Sequence, residues 1–249
     1  PQSGALAGRR AMTPSPRRVR RAAVAVLTWV AAGGIAGCAT DGGAAQRGDG
    51  AAAAAPSDTT LETLLLDDPD IARITDAPGL HTADSYRTMP DAAASGRTYS
   101  DAFCGAAISA ASTTAYDASS ANDVRGRRLD DTDTAGAVLS RSVDQAVIAF
   151  PDAGAAGEFV AAARTGWAAC AGMSVETLDT AGRAVWRVEQ PHFGEGVLSV
   201  AATHRSGWVT EHAITAQGEI VVDVAVSSAD AVTDRAAKIV RDITDRLAQ

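Results

Sequence analysis

Val143-Asp144-Gln145-Ala146-Val147-Ile148-Ala149-Phe150-Pro151-Asp152 is the stretch from which the fold can be read. Val143, Gln145, Val147 and Ala149 alternate against Asp144, Ala146, Ile148 and Phe150, a period of two that predicts a strand over 141–150. Pro151 ends it. Asp152 is placed to cap a long helix in which Phe159, Ala163, Trp167 and Cys170 fall three or four apart on one face. The alternative for Trp167, an exposed aromatic platform, fits that apolar stripe less well.

Working outward, a strand fits 123–130, and segments of strand character follow at 174–178, 183–190, 196–204, 208–216 and 219–226. The turn signals Ala181-Gly182, Gly194 to Gly196, Ser206-Gly207 and Gln217-Gly218 separate them at short spacing. Links this short force antiparallel pairing, because a parallel return needs a crossover of roughly a dozen residues or more. Ser227-Ser228 is expected to open a last helix, with Asp230 in a capping box and Val232, Ala236, Ile239, Ile243 and Leu247 on one stripe. Near the start, Asp67-Asp68-Pro69-Asp70 carries an acidic N-cap followed by Pro at the first helical position, so a short helix is expected there with Ile71 and Ile74 inward, and another from Ser100-Asp101 through Cys104 and Ile108. The predicted class is α+β: an antiparallel β-sheet with two long helices packed on one face, preceded by a signal peptide and a disordered linker.

That leader is read from charge and hydropathy. Arg17-Arg18-Val19-Arg20-Arg21 precedes an apolar run from Ala22 to Ala36, the layout of a secretory signal over 1–37 with Met12 as a natural start. The run is about 15 residues, short of the roughly 20 that cross a bilayer. Ile35-Ala36-Gly37-Cys38 resembles a bacterial lipobox, so Cys38 is the expected lipidation site and the membrane a partner through that anchor. Residues 38–60, rich in Ala, Gly, Asp and Ser, read as a flexible tether, and 61–249 as one folded domain. The expected localisation is the extracytoplasmic face of the cell membrane.

Six of the 22 basic residues precede Cys38 and none of the 30 acidic ones does, leaving 16 against 30, about −14, in the processed chain. Such a field repels phosphate backbones and excludes nucleic acid as a partner. With Cys38 lipidated, Cys104 and Cys170 remain in an oxidising compartment and are expected to pair. Neither has a His or second Cys at ligand spacing, so no metal site is expected there. With a two-residue turn at Ser206-Gly207, His204 and His212 would face opposite ways; with three they share a face about 13 Å apart. Neither register lets them share a metal.

Several of these segments together resemble the extracellular sensor domains of the PknH type, which also occur alone on actinobacterial lipoproteins. The marks are Leu64-Leu65-Leu66 with Ile71, Cys104 followed by Tyr116, Val143 to Pro151, Trp167-Ala168-Ala169-Cys170-Ala171-Gly172 and Ile220-Val221-Val222-Asp223-Val224, with the terminal helix. The resemblance covers about 61–249. It implies a second disulfide at positions where this chain carries Thr210 and Ser227. It also implies a cleft without catalytic apparatus, hence a non-enzymatic module that takes no cofactor and binds an unidentified envelope ligand or protein.

Strand parity sends Val222, Val224 and Val226 to the helices and leaves Asp223 with Val221 and Ala225 on the other face. Arg187 faces opposite to Trp186 and Val188, so Asp223, Arg187 and His212 are the expected cleft-floor residues. The competing expectation for that acid and base is a solvated cross-strand ion pair of little energetic weight. A structural or adaptor lipoprotein with no small-molecule ligand is the second functional reading. A secreted hydrolase is the third, although the chain contains neither Gly-x-Ser-x-Gly nor His-Glu-x-x-His.

Overall fold

The computed structural model describes residues 58–131, 139–180, 182–230 and 234–248. The expected signal peptide, the lipid-bearing Cys38, the tether up to residue 57, and Val232 lie outside the described residues.

A ten-stranded antiparallel sheet organises the domain. Its strands are β1 (His81–Tyr86), β2 (Thr98–Tyr99), β3 (Asp123–Asp130), β4 (Arg141–Ala149), β5 (Ser174–Asp179), β6 (Gly182–Val188), β7 (His192–Gly194), β8 (Val197–His204), β9 (Val209–Gln217) and β10 (Ile220–Ser228). They lie in the order β1-β3-β4-β10-β9-β8-β6-β5-β2, with β7 paired to β8. The turns between β5 and β6, β8 and β9, and β9 and β10 close antiparallel hairpins, as the sequence predicts. The polar edge strand β1, the two-residue β2 and the three-residue β7 carry too little pattern to be read from sequence.

Among the described residues six helices accompany this sheet: α1 (Asp58–Leu64), α2 (Asp68–Thr75), α3 (Ala102–Ala106), α4 (Thr113–Tyr116), α5 (Ala153–Cys170) and α6 (Arg235–Leu247). The cap expected at Asp152 is present, its Oδ1 accepting from Ala155 N at 2.8 Å; the acidic cap of α2 is Asp67, one residue before the position next to Pro69, its Oδ1 accepting from Asp70 N at 3.0 Å. Cys104 on α3 and Cys170 at the end of α5 form a disulfide across 66 residues of chain.

The two long helices are not on one face. Helix α6 joins α1 and α2 in a core with Val143, Val147, Val222, Val224 and Val226. Helix α5 belongs to a second core, on the opposite face, with Ala146, Ile148, Leu198, Val221 and Ile214. Strands β4 and β10 therefore bury both sides. The near-continuous apolar run Ile220-Val221-Val222-Asp223-Val224-Ala225-Val226 is the signature of such a strand, since one-sided burial would alternate apolar with polar residues.

The start of the last helix also differs from expectation. Asp234, with φ of 71°, precedes α6 and makes no side-chain cap. The cap comes from the neighbouring strand instead: Glu211 Oε2 on β9 accepts from Arg235 N at 3.0 Å and Ala236 N at 3.3 Å, placing a carboxylate at the positive end of the helix. Asp230 is not the N-terminal capping acid. It binds Arg235 at 2.9 Å and Arg141 at 2.6 Å, and the Arg235 bond, followed by the Arg141 bond, holds its carboxyl well below the usual range against desolvation.

Candidate binding cleft

The second face carries more than apolar packing. Helix α5 stands on one side and the segment 101–120, with α3 and α4, on the other; between them opens a cleft of about 550 Å³. Its walls are aromatic and small: Phe103, Phe150, Phe159 and Trp167, with alanines from α4 and α5. Phe103 is 60 % exposed and points the tip of its ring at Gly166, where a Cβ would come within 2.6 Å of Cζ. That close approach is what glycine permits there. The Cys104–Cys170 bridge ties the two walls together directly beside Phe103.

His212, Ile214 and Asp223 form the floor. In the antiparallel register Asp223 is opposite Ile214 on β9 and Ala146 on β4, while His212 is opposite Ala225. The imidazole Nε2 lies 2.6 Å from Asp223 Oδ1, and Nδ1 lies 3.1 Å from the carbonyl oxygen of Ala107. A carbonyl only accepts, so Nδ1 carries a proton, and one further proton is shared between Nε2 and Oδ1. Asp223 Oδ2 accepts from Tyr116 Oη at 2.8 Å and from Ala111 N at 3.0 Å. Asp223 and His212 are both 2 % exposed, so these bonds replace the water that burial removes. The Trp167 ring packs against the imidazole at 4.4 Å with the planes tilted by 39°, and Tyr116 stacks on Phe159 at 4.4 Å. Burial first, then the Asp223 charge and hydrogen bond, push the Tyr116 phenol up.

A second acid adjoins the floor. Asp144 on β4 is opposite Ala225, one strand from His212, and accepts from Tyr86 Oη at 2.6 Å. Desolvation pushes its carboxyl up to about 7, with the Asp223 charge adding to it, while the Tyr86 bond and the Arg128 and His212 charges pull the other way. Tyr86 reaches it by lying over Gly126, where a Cβ would come within 2.1 Å of the ring.

Of the three expected floor residues, the structure brings together Asp223 and His212 and leaves Arg187 apart. Val188 and Trp186 on β6 pair with Ala202 and His204 on the face that carries His212; Arg187, paired with Thr203, is exposed on the opposite face. Trp167 is 6 % exposed, part of the core beside the disulfide and a wall of the cleft at once. His204 and Trp208 bound a three-residue turn, so His204 shares a face with His212 and packs on Trp186 at 5.3 Å instead. Among the described residues no group of three metal-ligating side chains occurs. Thr210 and Ser227 are direct cross-strand partners with hydroxyls 2.8 Å apart. Tyr116, Tyr86 and Asp144 escaped sequence reasoning as site residues, because their partners lie 107 and 58 residues away.

The described residues thus form a helix-covered antiparallel sheet with a cleft over a buried His–Asp pair, tied by the Cys104–Cys170 disulfide. The chain belongs to the PknH-like extracellular domain family, whose profile it matches over residues 56–246. The crystal structure of the extracellular domain of PknH from Mycobacterium tuberculosis has the same fold: TM-score 0.71, 23 % identity, covering 78 % of this chain and 97 % of that one. No curated protein matches the chain. The family is one of extracellular domains. No helix among the described residues is long and apolar enough to cross a membrane.

Proposed function

We propose that this chain is a lipid-anchored extracytoplasmic binding module, fixed to the membrane through Cys38, whose cleft takes a small envelope molecule without transforming it. The observation that carries this reading is the cleft itself: about 550 Å³, with aromatic walls converging on the His212–Asp223 floor. That volume lies within the roughly 300–1,000 Å³ of small-molecule sites, and apolar walls with a few convergent polar groups are their usual chemistry.

Binding fits the floor better than catalysis does. Both His212 nitrogens are engaged within the protein, one by Ala107 O and one by Asp223, so neither is free to take a proton from a substrate. The module is tested on the full chain isolated from its own membranes. Native mass spectrometry is expected to find a non-covalent small molecule on the wild type and none on Ala163→Phe, in which a ring occupies the cleft. Cys38→Ala is expected to move the folded domain from the membrane fraction to the soluble one; a variant still held by membranes after a high-salt wash would overturn the anchor.

A further inference from the structure

The charges around the cleft define the kind of molecule it takes. Its described lining contains no Lys or Arg; its ionisable residues are Glu158, His212 and Asp223. With Nδ1 protonated towards Ala107 O and one proton shared across the 2.6 Å contact, the His212–Asp223 pair carries no net charge. An anion entering would lose its water and meet acceptor oxygens and Glu158, with no cation to replace the solvent. A full positive charge would find only Glu158, which is exposed and screened, and a pair already neutral within itself.

Asp223 has one hydrogen-bonding place left. A carboxyl group offers about four lone-pair directions. Oδ2 uses two, on Tyr116 Oη and Ala111 N, while among the described residues Oδ1 meets only His212 Nε2. The residue lines the cleft. A ligand that placed one O–H or N–H there would complete the set, with its apolar body against Phe159 and Trp167.

We infer that the ligand of this cleft is an uncharged, ring-bearing apolar molecule with a single hydroxyl or amine donor directed at Asp223, and that anionic amphiphiles are excluded. This rests on the cleft being the binding site. Free carboxylates, sulfonates and phosphate headgroups fall outside the class, although their apolar parts would fit the walls.

Two dyes with one ring skeleton separate the inference from the reading beneath it. N-phenyl-1-naphthylamine is uncharged and carries one N–H; 8-anilinonaphthalene-1-sulfonate is the same anilinonaphthalene with one negative charge. Fluorescence titration of the folded full chain at neutral pH is expected to give one site for the neutral dye. The sulfonate should bind at least about tenfold more weakly, as burying an uncompensated charge requires. Ala118→Arg puts a cation at an exposed lining position. It should strengthen sulfonate binding about threefold or more at low salt, with the neutral dye changed less than about twofold. Ala163→Phe should abolish binding of the neutral dye, and Phe103→Ala, at an exposed wall position, should weaken it severalfold. Equal affinities for the two dyes, or no selective gain in Ala118→Arg, would overturn the ligand class and leave the cleft as a site. No binding of either dye, or neutral-dye binding untouched by both wall variants, would overturn the site and the class together.

Discussion

The two faces of the sheet are built from the same strands and do different work. On the α6 face the strands contribute Val143, Val147, Val222, Val224 and Val226, and helix residues such as Ile239 and Ile243 close over them. The buried Gln145 of that face spends its amide on Leu66, donating to the carbonyl at 2.9 Å and accepting from the backbone N at 3.0 Å, so it joins α1 to the sheet. On the α5 face the residues between, Asp144, Ala146, Ile148, Val221, Asp223 and Ala225, meet a polar network and an open cleft. One face is sealed and holds the domain together; the other sets a buried, internally paired polar network at the floor of an open cleft.

Four measurements sharpen or break this contrast, from the largest expected effect to the smallest. Replacing both Cys104 and Cys170 with Ser should lower stability in urea by about 4 kcal/mol, the loop-closure value for a loop of this length. Because the bridge joins the cleft walls, neutral-dye affinity should fall with it; intact affinity would show that the walls are held by packing alone. Ile239→Ala, fully buried on the sealed face, should cost about 3 kcal/mol and leave dye affinity unchanged in the folded protein. An affinity loss there would mean that the faces are coupled.

Asp144 should betray itself by pH. Its carboxyl is raised in the folded state from the ordinary carboxylate range to about 7, so the associated stability is fully present below about pH 4 and is lost as pH rises towards 7. Asp144→Asn should match the wild type near pH 4 and exceed it by on the order of 2 kcal/mol at pH 8, roughly half of what a three-unit shift would carry in full. Thermal unfolding at the two pH values measures this, and a pH-independent difference would refute it. Tyr116→Phe removes one donor to Asp223 and should cost about 1 kcal/mol by urea unfolding. No loss would mean that another donor takes the place of the phenol.

Much of this was legible where causes are local. Asp67 and Asp152 cap helices three residues ahead, so their geometry is contained in a few consecutive residues. The hairpins follow from strand parity and short turns, and the same parity puts Asp223 on the face opposite Val222 and Val224. The same register makes Thr210 and Ser227 direct partners across β9 and β10. The α6 cap was not legible, because Glu211 lies 24 residues before Arg235 and only strand placement brings it near. The side of Arg187 was not legible, because parity orders residues within β6 but the pairing of β6 to β8 decides which face they meet.

By itself, the sequence determined the antiparallel strands, the long helix after Pro151, the pairing of its two domain cysteines, and the singular position of an acid within an apolar strand. Periodicity and capping are short-range, and each residue type states its preference regardless of what folds over it. Only the tertiary structure decided that helices cover both faces, that Tyr116 and His212 converge on Asp223, and that the walls stop short of closing over them. Those outcomes depend on contacts between segments up to 112 residues apart, whose geometry is set by packing of the whole domain and written in no local pattern.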